Sequence, residues 1–239
     1  PRLEKFLAGR GAAQRFLAAV FDLSPFLRDL ARRRPQMLDI LFERTVEQRL
    51  AEIVAAVAAT PFAEGVSEAS LMMELRLLKA EAHFLIALAE LSGVAETSLT
   101  VRRLSDLAGA CVHAAVDFLL REAHGQGKLK LPDPNHPGTN SGWIVLGMGK
   151  LGAHELNFSS DIDLVVFFDP EAPAILDPYG ATDLFSRLTR RLVRILQDRT
   201  EHGYVFRTDL RLRPDPGSTP LAIPVLAALT YYEGRGQNW

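Results

Sequence analysis

Hydrophobic and polar positions follow two different periods along this chain, and the change of period divides it. From residue 1 to about 125, Ala and Leu recur every three or four positions with Arg and Glu between them, and glycine is sparse. That is the spacing of amphipathic helices. Ser24 ahead of Pro25 supplies an N-cap and a first-turn proline, and Pro35 restarts another helix. A long helix is predicted from about Ser67 to Leu91, ending near Gly93, and another from about Arg102 to His124, with Gly125 as its stop. From about Gly125 to Ser141 the chain is rich in Pro, Gly and Asn and reads as a linker or long surface loop. Shorter apolar runs follow. Trp143-Ile144-Val145-Leu146 and the run from Asp161 to Phe168 are β-branched and aromatic, as buried strands are. Tyr204 to Pro214 alternates apolar and polar residues, the period of a half-buried strand. An amphipathic helix from about Ala181 to Thr200 separates these runs. A turn through Asp215-Pro216-Gly217-Ser218, a short apolar piece ending at Pro224 and a helix from Val225 to Tyr232 complete the chain. The pattern predicts an α+β protein, with a helical region over 1–125 and a strand-bearing region over 126–239.

The chemistry concentrates at the mouth of one predicted strand. Side chains i and i+2 on a strand share a face, so Asp161 and Asp163 are expected to point the same way. Paired carboxylates repel unless a cation sits between them, and a hard ion such as Mg²⁺ suits all-oxygen ligands. Such a site fits phosphoryl or nucleotidyl transfer; a solvated strand entrance has the same local sequence. Upstream, Gly147, Gly149 and Gly152 spell G-x-G-x-x-G. A dinucleotide-binding unit would need a crossover helix and an acidic residue about twenty positions on. Only eight residues separate Gly152 from Asp161, and no Gly-Lys-[Ser/Thr] stands at the spacing of a Walker loop. What remains is a glycine-rich turn whose amides and Lys150 are expected to cradle a phosphate facing the Asp pair. A third acid, Asp209, lies on the alternating run, with Arg207, Arg211 and Arg213 expected on the same face. Alone this is an ion-pair ladder. Beside the Asp161–Asp163 strand it becomes a third metal ligand, with Arg211 and Arg213 offering planar forks for phosphate oxygens.

The stretch Gly147-Met148-Gly149-Lys150-Leu151-Gly152-Ala153-His154-Glu155-Leu156-Asn157-Phe158-Ser159-Ser160-Asp161-Ile162-Asp163-Leu164 resembles the signature of the glutamine synthetase adenylyltransferase/adenylyl-removing family. So do Asp209-Leu210-Arg211-Leu212-Arg213-Pro214, Tyr231-Tyr232-Glu233-Gly234-Arg235-Gly236-Gln237-Asn238-Trp239 and, more loosely, Glu74-Leu75-Arg76-Leu77-Leu78-Lys79-Ala80-Glu81. Ala153 stands where that family usually has a second glycine. The resemblance implies a nucleotidyltransferase domain of the DNA polymerase beta superfold over 126–239, with a small mixed sheet. It implies Asp161, Asp163 and Asp209 as catalytic ligands of one or two Mg²⁺ ions, and Gly149, Lys150, Ser160, Arg211 and Arg213 as phosphate or nucleotide contacts. The wording Glu155 to Asp161, with the Gly236-Gln237-Asn238-Trp239 ending, is similar to the family's amino-terminal half. That half removes AMP from a tyrosine of glutamine synthetase, consuming orthophosphate and releasing ADP; the other half adds AMP from ATP. A PII signalling protein is the regulatory partner implied.

Composition changes this picture little. Apolar residues at 48%, charged residues at 23% and a formal net charge of −2 describe an ordinary globular protein and argue against nucleic acid as the main partner. A single cysteine, Cys111, in an apolar helical run reads as a core filler and a cytoplasmic chain, and no run is long and apolar enough for a membrane span. His83, His113 and His124 lack metal spacing and read as structural. Arg32-Arg33-Arg34 reads as a charged helix end, and Arg187, Arg190, Arg191 and Arg194 as a solvated helix face. The absence of an initial methionine and the stop at Trp239 inside a motif lead us to expect a piece of a longer protein. Two alternatives stay open at this level. One is AMP addition to a protein tyrosine or a small molecule, and the other is an idle regulatory module that reads a PII protein.

Overall fold

The computed structural model describes residues 11–41 and 43–235. The Gly236-Gln237-Asn238-Trp239 ending and the first ten residues lie outside the described residues. Three short helices come first: α1 (Ala12–Leu23), α2 (Pro25–Arg33) and α3 (Gln36–Ile40). Ser24 caps α2 as its sequence predicts, its hydroxyl accepting the Leu27 amide at 3.3 Å with Pro25 in the first turn. Then come α4 (Val46–Ala59), opened by a Thr45–Gln48 capping box, α5 (Glu68–Leu91), capped by Ser67, and α6 (Thr97–Gly125). The α6 helix starts five residues ahead of the predicted Arg102, where Thr100 extends the buried face of Leu104 and Leu107 by one turn.

The second region carries β1 (Trp143–Met148), a four-residue helical turn α7 (Gly149–Gly152), β2 (Ile162–Phe168), α8 (Ala181–Gln197), β3 (Thr208–Asp209), β4 (Ile223–Pro224) and α9 (Val225–Arg235). The architecture is α+β. β2 is the centre of a four-stranded mixed sheet, antiparallel to β1 and parallel to β3 and β4. β3 pairs at the start of β2, through Ile162 and Asp163, and β4 at its end, through Phe167 and Phe168. The proline of β4 sits at an edge, where its missing amide costs no ladder bond.

One expectation needs correction. The alternating run from Tyr204 to Pro214 is not one strand; only Thr208 and Asp209 pair with the sheet. Its first half docks on a helix end instead, the Val205 and Phe206 amides both donating to the Leu196 carbonyl in the last turn of α8. Such carbonyls have no partner inside their own helix and draw donors strongly. Its second half turns away at Asp209, whose Oδ1 accepts the Arg211 amide at 2.8 Å, the local bond by which an aspartate ends extended structure.

A single hydrophobic core runs from Ile53 of α4 through α5 and α6 to the sheet and α8, and Ala222 beside β4 belongs to it. A smaller cluster joins α1 to α3 to Phe84 and Leu88 of α5. Arg191 of α8 holds Glu68 of α5 at 2.5 Å and also pairs with Glu122 of α6; Arg194 reaches Glu68 at 2.5 Å. Two of the four arginines read as a solvated face therefore tie helices of the two regions together. Cys111 is fully buried, as expected of a core filler, and burial pushes its thiol up to about 12. Among the described residues no helix is long and apolar enough to cross a membrane.

Candidate active site

The register of β1 on β2 brings the glycine turn to the acids: Met148 pairs with Asp163, and Gly147 with Leu164. Gly149 follows with φ +53, in the left-handed region, and a Cβ there would stand 2.6 Å from Asp163 Oδ2. Only glycine lets the carboxylate lie against the turn. A Cβ on Gly152 would meet the Gly147 carbonyl oxygen at 2.5 Å. The G-x-G-x-x-G spacing thus has a steric origin unrelated to a dinucleotide, since it closes a one-turn link between two antiparallel strands. Ala153, with φ −82, sits where any L residue is relaxed, so the departure from the glycine pair costs the turn nothing.

The segment between α7 and β2 is anchored from below. Ser105 of α6 accepts the Leu156 amide at 3.0 Å while donating to Val101, and Leu156 is completely buried. The Phe158 ring meets His83 edge-on at 5.5 Å between centroids, and Phe206 meets the same imidazole at 5.9 Å. His83 of α5 therefore lies beneath both acid-bearing segments, three residues ahead of Asp161 on one side and of Asp209 on the other. Burial and the neighbouring Lys79 hold its basicity well below the ordinary histidine range. A neutral, aromatic spacer is the role that follows. No sequence signal pairs it with Phe158 and Phe206, because only tertiary packing does so.

Asp163 and Asp209 are direct register partners across β2 and β3. Asp161 stands one residue before β2, exposed, its Oδ1 paired with the Nε of Arg207, which also donates to the Ser159 carbonyl at 2.6 Å. The Arg211 guanidinium grips Asp209 at 2.8 Å to Oδ2 and 3.0 Å to Oδ1. Burial first, then the charges of Asp209 and Asp161, raise the Asp163 carboxyl above the usual carboxylate range. Hydrogen bonding to Arg211 lowers Asp209. Asp163 thus senses both of the other acids, and among the described residues its side chain makes no hydrogen bond or ion pair of its own. Among the described residues no three acidic, histidine or cysteine side chains converge as a ready metal cage. Arg207 and Arg211 draw the outer two acids aside. The donor set still fits a hard cation: it is all carboxylate oxygen, and Asp163 carries the electrostatic strain that a positive charge relieves.

The remaining sequence candidates divide. Lys150 is exposed and lines a cleft of about 720 Å³ with Arg102, His154 and Asn157, between the glycine turn and the start of α6. Ser160 is half-buried, its amide donating to the Asn157 carbonyl at 3.2 Å, a turn-bracing position. Arg211 stands at the acids. Arg213 does not; its guanidinium donates to the Leu210 carbonyl at 2.8 Å and the Pro216 carbonyl at 2.7 Å, fastening the turn after β3. Arg207, which sequence reading took only as one member of a basic face, is the side chain that clamps Asp161.

Residues 14–239 match the family model described as glutamate-ammonia ligase adenylyltransferase. The bifunctional glutamine synthetase adenylyltransferase/adenylyl-removing enzyme of Mesorhizobium japonicum is 79% identical over 238 residues, covering 100% of this chain and 24% of that protein. The enzymes of the same description from Brucella suis and Agrobacterium fabrum are 60% and 53% identical, over 98% and 100% of this chain and 24% of each protein. The chain spans about a quarter of the length of these curated relatives.

Proposed function

Because the chain belongs to the glutamate-ammonia ligase adenylyltransferase family, we propose that it removes AMP from an adenylylated tyrosine of glutamine synthetase by Mg²⁺-dependent phosphorolysis. The observation that carries this reading is the pairing of Asp163 with Asp209, with Gly149 packed against the Asp163 carboxylate. It puts acids from two strands beside a glycine turn, the minimum for handling a phosphoryl group. The removing direction, rather than the adding one, rests on the likeness of Glu155 to Asp161 to the amino-terminal half of the family.

In this reading Asp161, Asp163 and Asp209 hold one or two Mg²⁺ ions, which neutralise charge on the phosphate oxygens when bound. Binding requires Asp161 to leave Arg207 and Asp209 to loosen from Arg211. Both arginines are then free to face phosphate oxygens, and Arg211, the more exposed of the site's two forks, steers orthophosphate. Gly149 and Lys150 orient the AMP phosphate, and Ser160 keeps the strand entrance in shape. An orthophosphate oxygen attacks the AMP phosphorus in line as the bond to the tyrosine oxygen breaks. The phenolate takes a proton, and the products are ADP and free tyrosine. Arg213 remains the brace of its turn.

The test is incubation of the chain with adenylylated glutamine synthetase, Mg²⁺ and orthophosphate, following ADP. ADP that disappears in Asp163→Asn supports the reading. Transfer of AMP from ATP onto glutamine synthetase, with pyrophosphate released and no ADP from orthophosphate, would replace it with the opposite half-reaction. Silence in both assays would leave a module that binds without turning over.

A further inference from the structure

A second cavity, of about 660 Å³, opens between α2, the middle of α5 and the loop from Arg199 to Tyr204. None of Asp161, Asp163, Asp209, Gly149 or Lys150 lines it. Its wall carries five basic side chains, Arg33, Arg34, Arg76, Lys79 and Arg199, against two carboxylates, Asp29 and Glu201. Two of the five are already committed. Arg76 is completely buried and donates to the carbonyls of Met72, Asp198 and Gly203. Arg34 donates to the Leu77 carbonyl at 2.6 Å and stands 3.9 Å from Glu81. Among the described residues the side chains of the other three, Lys79, Arg33 and Arg199, make no hydrogen bond and no ion pair, and the Lys79 ammonium meets the Tyr204 ring at 5.0 Å and the Phe206 ring at 5.7 Å.

Lys79 is the anomaly. A lysine on the inner side of a helix ordinarily snorkels to water or finds a carboxylate; this one is half-buried and, among the described residues, finds no carboxylate. Burial and the nearby Arg76 push its ammonium down to about 8. An unpaired cation in a concave site, with two further cations converging on it, is the arrangement that recognises an anion. The wall also carries the apolar side chains of Phe26, Leu30, Leu77 and Ala80, so the cavity offers more than a charge. Its size lies in the range of small-molecule sites.

We propose that this cavity binds a small organic anion with a phosphate or carboxylate head on Lys79, Arg33 and Arg199 and an apolar body against α2 and α5. The position suits an effector rather than a substrate. The loop that forms one wall leads through Phe206 into Arg207 and Asp209, so an occupant that stiffens it acts on the arginine that clamps Asp161.

The test is isothermal titration of the 239-residue chain with phenyl phosphate, which carries an anionic head on an apolar ring, and with orthophosphate. EDTA is present, so that the acid cluster stays anionic and repels the probes. We expect saturable binding of phenyl phosphate at one site, weakened tenfold or more by Lys79→Gln and by Arg199→Ala and unchanged by Lys150→Ala and Arg211→Ala. Orthophosphate alone should bind more weakly through the same residues. Arg199 is exposed, so its alanine variant decides the matter even if Lys79→Gln folds poorly. No saturable binding of either probe, binding indifferent to Arg199→Ala, or binding lost instead in the Lys150 and Arg211 variants would overturn the proposal. The last outcome would leave the phosphorolysis reading standing.

Discussion

Replacing Lys79 by Met should stabilise this protein near neutral pH, and by an amount that pH removes. The lysine is half-buried, and its ammonium is pushed down to about 8, first by burial and then by Arg76. An ordinary lysine titrates near about 10.4, and each pH unit of depression is about 1.4 kcal/mol, so the charged form costs the fold at most about 3 kcal/mol. Methionine has a stem of similar length and fills the same space without the charge. It forfeits the contacts with the Tyr204 and Phe206 rings, worth about 1 kcal/mol together, and the net gain at pH 7 is about 1–2 kcal/mol. The sign with pH follows from proton binding. Between pH 8 and about 10.4 the unfolded chain holds the lysine proton and the folded chain does not, so stability rises with pH across that window; below it the full cost is present. Cys111 works in the opposite direction, because burial raises its thiol to about 12 and the unfolded thiol ionises first. Lys79 lowers that thiol somewhat, but the thiol stays neutral in both folded proteins up to pH 10, so the difference between them isolates Lys79. Urea unfolding followed by circular dichroism at pH 7 and pH 10 measures that difference. An advantage for Lys79→Met that is equal at the two pH values, or a loss of stability at pH 7, would refute the reasoning.

Gly149→Ala forces a left-handed alanine against the Asp163 carboxylate. It should cost about 1–2 kcal/mol in urea unfolding and reduce phosphorolysis well beyond that loss. Asp163→Asn removes the acid that its neighbours repel; differential scanning fluorimetry without metal should show an unchanged or slightly higher melting temperature, and the rise that Mg²⁺ gives the parent should vanish. Arg76→Met strips the carbonyls of Met72, Asp198 and Gly203 of their donor. With an unpaired buried polar group costing about 1–3 kcal/mol, it should lower stability by several kcal/mol, with faster hydrogen exchange in the 198–204 loop. Ser105→Ala leaves the Leu156 amide unpaired in the core, and a loss of about 1–2 kcal/mol in the same unfolding assay checks it.

Much of the fold was legible because it is local. Helix spacing, the Ser24 cap, the helix start near Ser67 and the apolar runs at Trp143 and Ile162 are set by residues a few positions apart, and periodicity reads such separations directly. The Asp161–Asp163 pair and the glycine turn were visible for the same reason. The alternating run at Tyr204 misled because period 2 reports only that alternate side chains are buried. It does not say whether the backbone amides go to a strand or, as at Val205 and Phe206, to the end of a helix. β4, two residues long, has too little sequence to show any period at all.

What the sequence determined by itself was the chemical inventory: three acids, a glycine turn between two apolar strands, and arginines near at hand. What only the tertiary structure decided was which arginine meets which acid. Arg207 reaches Asp161 across 46 residues of chain and Arg213 turns back on its own loop, though the two look alike in the sequence. It also decided that Lys79, an unremarkable helix lysine, stands without an anion beside Tyr204. Long side chains find their partners through the packing of distant elements, and the energy of each pairing depends on burial that no local pattern carries.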